Sequence, residues 1–312
     1  MYKYLFGPVP SRRLGLSLGV DLVPKKTCSF NCVYCEAGNT LNLTVTRKAY
    51  SDLNEVKKEL VHYFEHNSDP DFVTFSGYGE PTLDTNIKEV ILHIKKIRPD
   101  INVAVLTNGS LLNEKEVRDA LGLADLVNPS LDAATEKTFK KINRPHKKID
   151  LQSYIDGLIK FRRKYKGKYH LEVFILKGFN DNKEDLLALK HAIERIEPDI
   201  IQLNTLDRPG ALKGIRAATY DELKYIIDVW GFKNVEIIST TGLDKIRNNA
   251  IIQDIESSIL ETIKRRPCTL DDLTKILNKK ELEIKKYLEK LTNENKVTME
   301  KLERGVFYKS LI

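Results

Sequence analysis

A parallel α/β domain followed by a smaller domain is the fold this sequence predicts, and three observations predict it. From residue 16 to about 240, short β-branched runs alternate with longer helical patterns, the rhythm of βαβ units. The strand-like runs are almost wholly apolar, which suits a parallel sheet covered on both faces. After Asn248-Asn249 the rhythm changes to three helical patterns and a hairpin. The boundary is set there, giving domains of 1–248 and 249–312, and 312 residues suffice for two.

The strands are read at Leu16 to Val23, Phe72 to Ser76, Val103 to Thr107, Leu126 to Leu131, Leu171 to Leu176, Ile200 to Leu206 and Val235 to Ser239. Helices are read at Leu53 to Glu65, Ile87 to Ile97 and Glu184 to Ile196. Another follows Asp150, where Leu151, Tyr154, Ile155, Leu158 and Ile159 make an apolar stripe at helical spacing. Asp150 is its N-cap. In the second domain Ile255, Ile259, Leu260 and Ile263 share one helix face, and Thr269 with Asp272 caps a helix carrying Leu273, Ile276 and Leu277. Ile284, Tyr287, Leu288 and Leu291 mark a third helix. Val297 to Leu302 and Val306 to Lys309, joined through Glu303-Arg304-Gly305, read as a β-hairpin. Three helices and a hairpin in about sixty residues form the winged-helix pattern.

No apolar run reaches the ~18 to 20 residues that span a bilayer, and the opening MYKYLFGPVPSRR lacks the features of a signal peptide. A cytoplasmic protein without a membrane partner is expected. The net charge is +7, and its distribution is uneven. Between Lys137 and Lys168 twelve Lys or Arg face only Asp150 and Asp156, a local excess of +10, so the remainder of the chain is slightly acidic. Residues 251–312 hold thirteen basic and eleven acidic residues, a weak footprint for a duplex reader, and such modules serve equally as protein contacts.

The strongest chemical signal is Cys28-Ser-Phe-Asn-Cys32-Val-Tyr-Cys35. Three soft thiolates at this spacing can hold three irons of a [4Fe-4S] cluster and leave the fourth open. Zinc is the bland alternative, but a second C-x2-C knuckle to pair with Cys32-x2-Cys35 is missing. The fourth cysteine, Cys268, lies in the other domain and reads as a structural, half-buried thiol.

With Tyr34 before the last cysteine, this segment resembles the radical S-adenosylmethionine (radical SAM) enzymes, and the resemblance covers about residues 14–240. It is strengthened by Ser76-Gly77-Tyr78-Gly79-Glu80-Pro81, similar to the family's glycine-glycine-glutamate motif. The resemblance implies a partial (β/α) barrel, one [4Fe-4S] cluster on Cys28, Cys32 and Cys35, and S-adenosylmethionine cleaved reductively to a 5′-deoxyadenosyl radical. It places Tyr34, Gly77, Gly79, Glu80, Asn108, Ser130, Asp132, Glu172 and Asn204 around that cofactor. Each of the later ones is also a residue type that favours strand ends and turns for local reasons. An external low-potential donor, a ferredoxin or flavodoxin, is implied too.

The opening Gly7-Pro8-Val9-Pro10-Ser11-Arg12-Arg13-Leu14-Gly15 is similar to one subgroup, the iron-sulfur oxidoreductases related to the wyosine-synthesis enzymes of tRNA modification. Those enzymes carry extra cysteines for a second cluster, and no cysteine precedes Cys28 here. RNA, above all tRNA, is the first substrate expectation, gripped by Arg12, Arg13, Lys140, Lys141, Arg144, Lys147 and Lys148 with His146 among them. A polypeptide substrate is the second. A non-enzymatic iron-sulfur regulator that binds DNA is the third.

Overall fold

The computed structural model describes residues 2–11, 13–238, 255–277 and 279–311. The predicted boundary at 248/249 lies outside them. The chain opens with β1 (Leu5–Ser11) and β2 (Gly15–Val20), and a short excursion holds β3 (Thr27–Cys28) and β4 (Asn42–Leu43). There follow α1 (Leu53–His66), β5 (Phe72–Phe75), α2 (Ile87–Ile97), β6 (Asn102–Thr107), α3 (Lys115–Leu121), β7 (Leu126–Pro129), α4 (Glu136–Ile142) and α5 (Leu151–Lys164). The alternation continues through β8 (Lys168–Ile175), α6 (Lys183–Ile196), β9 (Ile200–Thr205), α7 (Tyr220–Trp230) and β10 (Val235–Ile237). The last unit is α8 (Ile255–Arg265), β11 (Cys268–Thr269), α9 (Leu270–Leu277), α10 (Glu281–Asn293), β12 (Val297–Leu302) and β13 (Gly305–Ser310).

Eight strands make one sheet in the order β1-β2-β5-β6-β7-β8-β9-β10. All neighbours run parallel except β1, which pairs antiparallel with β2 at the edge. Strands consecutive in the alternation are adjacent in space, and the helices between them pack in sequence, α1 on α2, α2 on α3, α5 on α6 and α6 on α7. Helices therefore line one side of the sheet, and the main core of Leu18, Val20, Val73, Phe75, Val103, Val105, Leu171, Val173 and Leu203 lies beneath them.

The expectation of strands covered by apolar packing on both faces holds only on that side. Side chains alternate across a strand, and the opposite face presents Ser17, Thr74, Glu172 and Asn204 to a cavity. Ser17 Oγ and Thr74 Oγ1 lie 2.6 Å apart on it. Edge strand β1 went unforeseen because Gly7-Pro8 and Pro10 read as loop; proline tolerates an edge, where its missing N–H faces no neighbour.

Local chemistry sets several boundaries. Asp150 caps α5, its carboxylate accepting from the Gln152 and Ser153 backbone N–H groups. Thr219 and Glu222 form a capping box on α7. Thr269 Oγ1 accepts from Asp272 N at 3.1 Å while Asp272 Oδ2 accepts from Thr269 N at 3.0 Å, as the sequence predicts.

In the last unit α8, α9 and α10 bury Ile259, Ile263, Leu273, Ile284, Leu288 and Leu291 with Cys268 in a second core. Strands β12 and β13 pair antiparallel and β11 adds to β13, a third strand the hairpin reading lacked. Among the described residues no helix is long and apolar enough to cross a membrane.

Candidate active site

The cysteine loop leaves β3 and is held from both sides. Thr44 N donates to Cys28 O and Thr40 Oγ1 to Phe30 O. On the other flank Asn31 N donates to the Asn143 and Arg144 carbonyls, Val33 N to Ile142 O, and His146 N to Ser29 O. Phe30, fully buried, packs edge-on against Phe139 and Tyr154 at 5.5 and 5.7 Å. A segment this thoroughly tied can hold three thiols in place without regular structure.

Each thiol meets its own N–H donor. Asn108 Nδ2 is 3.4 Å from Cys28 Sγ, Asn143 Nδ2 is 3.5 Å from Cys32 Sγ, and Lys26 Nζ is 4.0 Å from Cys35 Sγ. Burial pushes the Cys28 thiol up to about 12, with the Glu80 carboxylate adding to the effect, and burial with Asp132 raises Cys32 well above its ordinary value. Burial lowers Lys26, while Cys35 and Cys28 oppose it. Among the described residues no group of three or more His, Cys, Asp or Glu gathers tightly enough for a single metal ion. Cys268 is buried in the second core, its Sγ 3.5 Å from Arg266 O.

Cys32, Tyr34 and Cys35 open onto a cavity of about 720 Å³ bounded by the polar face of the sheet, β1, and helices α8 and α9. Of the predicted cofactor residues, Tyr34, Gly77, Glu172 and Asn204 line it, as does Arg13, paired with Glu172 at 2.7 Å. Asn204 Nδ2 donates to Glu172 Oε1 at 2.9 Å. Tyr34 stacks on Phe174 with centroids 3.9 Å apart and donates its hydroxyl to Asp132.

Gly79, Glu80, Asn108, Ser130 and Asp132 do not line this cavity; they stand behind it. Glu80 is 2% exposed, and its carboxylate accepts from Thr82 N, Thr82 Oγ1, Thr107 Oγ1 and Asn108 N at 2.6 to 3.0 Å. Burial raises its pKa against those four bonds. The carboxylate's hydrogen-bonding is spent on the loops that carry Asn108, so of the two acceptors this segment offers, carboxylate and carbonyl, the carboxylate takes a positioning role. A Cβ on Gly79 would lie 2.0 Å from Thr27 O, one residue before Cys28, so this position needs glycine for close backbone packing. Gly77 adopts φ +155°, and a Cβ there would overlap the Asp21 carboxylate. Asp132 accepts from Tyr34, from Asn143 Nδ2 at 2.7 Å and from Phe174 N at 3.0 Å; burial raises it to about 6 in spite of them. Ser130 contributes its carbonyl to Tyr154 OH.

The basic connection takes a different place from the one expected. Lys140 pairs with Glu136 at 3.2 Å, and Lys141 donates to Gly178 O and lies over Phe179. Arg144, Lys147 and Lys148 are exposed beside the cysteine loop, and none of the five lines the cavity. Arg12 lies outside the described residues. Sequence reasoning missed Lys26, Asn143, Phe174, Arg208 and Arg266, because only the fold brings them to the cysteines or the cavity.

The family model of the radical SAM superfamily matches residues 22–191, more than half of the chain. A UPF0026 protein of Methanocaldococcus jannaschii is 33% identical across 97% of this chain and 94% of that protein. The chain is a radical SAM enzyme. Its cofactors are accordingly a [4Fe-4S] cluster and S-adenosylmethionine, and the reading as a non-enzymatic regulator falls. A Brachyspira hyodysenteriae protein described as GTPase Obg is 40% identical over 299 residues, 96% of this chain but 44% of that protein, so the chain spans less than half its length. Among solved structures, TYW1 with a lysine-pyruvate adduct bound aligns with 72% of this chain and 75% of its own at a TM-score of 0.50 and 19% identity, a likeness of fold. The radical SAM match covers the cysteine loop and strands β5 to β8, and it stops short of the unit that adds α8 and α9 to the cavity wall.

Proposed function

We propose that Cys28, Cys32 and Cys35 hold the [4Fe-4S] cluster and that the chain directs a 5′-deoxyadenosyl radical onto RNA, most of all tRNA. The observation that carries the first part is the loop itself: three soft thiols, each beside a separate N–H donor, the last two opening on a 720 Å³ cavity. That donor set fits a cluster, whose thiolates attach to separate irons, better than one zinc ion. When bound, cluster and S-adenosylmethionine supply a one-electron cleavage of the sulfonium carbon-sulfur bond. Tyr34, Gly77 and Asn204 would wall the cofactor, while Gly79, Glu80, Asn108, Ser130 and Asp132 fix the backbone and side chains behind them. An external ferredoxin or flavodoxin delivers the electron. Residues 1–248 form the partial barrel on this reading, and residues 249–312 a winged-helix domain.

RNA is favoured by Arg144, Lys147 and Lys148, exposed basic side chains on a segment hydrogen-bonded to the cysteine loop. On this reading they form a phosphate-binding strip on the flank of the cysteine loop. The similarity of the Gly7 to Gly15 opening to the wyosine-synthesis subgroup points the same way. A polypeptide substrate is the competing outcome. To test both parts, anaerobically reconstituted protein is incubated with dithionite and S-adenosylmethionine, with and without cellular RNA, and 5′-deoxyadenosine is measured. tRNA binding is followed against salt. Reversing Arg144, Lys147 and Lys148 to Glu should flatten the slope by roughly 0.7 to 0.9 per lost contact. Parent protein with no salt-sensitive tRNA binding would hand first place to the polypeptide.

A further inference from the structure

Helix α8 divides its surface between two tasks. Ile259 and Ile263 are taken up by the core of the last unit, and Ile255 packs against it. The neighbouring stripe, Ser258 and Thr262 with Arg266 one turn further on, follows the helical spacing of four and lines the large cavity. Arg266 N still donates to Thr262 O, so the helical turn carries through to the arginine. A polar stripe on a surface helix ordinarily faces water; this one lines a cavity that Cys32, Tyr34 and Cys35 line too.

A second arginine meets it there. Arg208, in the segment after β9, is 1% exposed and lines the same cavity, and its Nε has no hydrogen-bond partner. Its carboxylate neighbours stand at the long end of ion-pair distance, Glu36 and Asp207 at 3.5 Å and Asp272 at 3.8 Å, and they engage Nη1 and Nη2 but not Nε. No ion pair joins Arg266 to any described residue. Two guanidinium groups thus line one cavity, Arg208 ion-paired but with Nε unmet, and Arg266 without a direct ion pair, with Glu36 and Asp272 acting on it from farther off and Arg208 repelling it. Leaving buried donors unmet is costly, and the group that relieves such an arrangement is an oxyanion, which a planar guanidinium fork matches in shape.

We propose that Arg266 and Arg208, flanked by the hydroxyls of Ser258 and Thr262, bind an oxyanionic group of the substrate, a phosphate or a carboxylate. The last unit is then one wall of the reaction chamber, and its part in RNA or peptide recognition is played from inside the site. This deepens the substrate reading above and rests on it.

The test uses the full reconstituted chain and labelled inorganic phosphate in equilibrium dialysis, with acetate as competitor. Saturable binding near one phosphate per chain is expected. Arg266→Gln should weaken it about tenfold or more, the scale of a lost charge-assisted hydrogen bond, in protein whose melting temperature and iron content match the parent. Arg266→Lys, which keeps the charge and loses the fork, should fall between, and it carries the test if Arg266→Gln does not fold. Acetate displacing phosphate at lower concentration than phosphate displaces itself assigns the site to a carboxylate; the reverse assigns it to a phosphate. Absence of saturable binding of either anion, or equal binding by parent and both variants, overturns the inference. The radical reading is scored separately in the same preparation: 5′-deoxyadenosine formed without anion binding sinks only this site, and anion binding without 5′-deoxyadenosine sinks only that reading.

Discussion

Lys26 is the residue whose removal should speak most directly about the cluster. It is 6% exposed, and its ammonium lies 4.0 Å from Cys35 Sγ and donates to Gly38 O. A cation so placed favours the more negative, reduced form of whatever the thiolates hold. Two unit charges 4 Å apart at an effective dielectric of about 20 interact by about 4 kcal/mol. The added electron is spread over a cluster wider than that distance, so between a quarter and a half of this reaches it. At 59 mV per 1.36 kcal/mol for one electron, roughly 1 to 2 kcal/mol becomes a shift of about 50 to 90 mV. Lys26→Met, which keeps the stem and removes the charge, should therefore lower the midpoint potential by about that much. The assay is a redox titration of anaerobically reconstituted protein followed by electron paramagnetic resonance of the reduced cluster. Slower 5′-deoxyadenosine formation with a weak reductant, recovered with a stronger one, should accompany the shift. An unchanged or raised potential in a variant with full iron content would refute the argument.

The remaining expectations concern the frame around the site. Gly79→Ala should cost about 1 to 3 kcal/mol by overpacking against Thr27 O and lower iron per chain; full iron and an unchanged melting temperature would remove the close-packing role. Asp272 accepts from Arg304 Nη1 and Nη2 at 2.9 and 2.7 Å. Burial alone would push its carboxyl up, but Arg304 and Arg208 hold it at about 2, below its ordinary value of 3.8. A lowered folded-state value stabilises above the unfolded one, so about 2 kcal/mol is in place above pH 4 and is lost as pH falls toward 2; Asp272→Asn should abolish that acid-side loss in urea titrations from pH 5 to 2. Asp150→Ala, which removes the acceptor for Gln152 N and Ser153 N, should cost about 1 kcal/mol in the same measurement.

What the sequence made legible follows from how local each signal is. Helix α2 spans Ile87–Ile97 as read, and α5 begins at its Asp150 cap, because period and capping are encoded within a few residues. Strand ends shift by one to three residues: β2 stops at Val20 and not Val23, and β7 at Pro129 and not Leu131. Pairing partners set those ends, and a single run does not contain them. The cysteine loop was visible as spacing. Its three N–H donors were not, since Asn143 stands 111 residues from Cys32 and Asn108 stands 80 from Cys28.

The same distinction explains the two readings that changed. Gly79 and Glu80 were expected to meet a ligand because glycine and carboxylate in a loop after a strand are chemically fit for it. The fold instead sets that loop against the backbone before Cys28, with Glu80 N donating to Thr27 O, so the motif holds the cysteine loop to β5 and β6. The basic residues after α4 were expected at the mouth of the barrel because they follow β7. Hydrogen bonds from Asn31 and His146 tie them to a flank of the cysteine loop, while the cavity is lined from the other unit by α8 and α9, which follow the sheet in the chain. Charge counted along the chain therefore does not tell which cations meet the cavity: the +10 segment stands outside it, while Arg13, Arg208 and Arg266, scattered along the sequence, are among its lining residues.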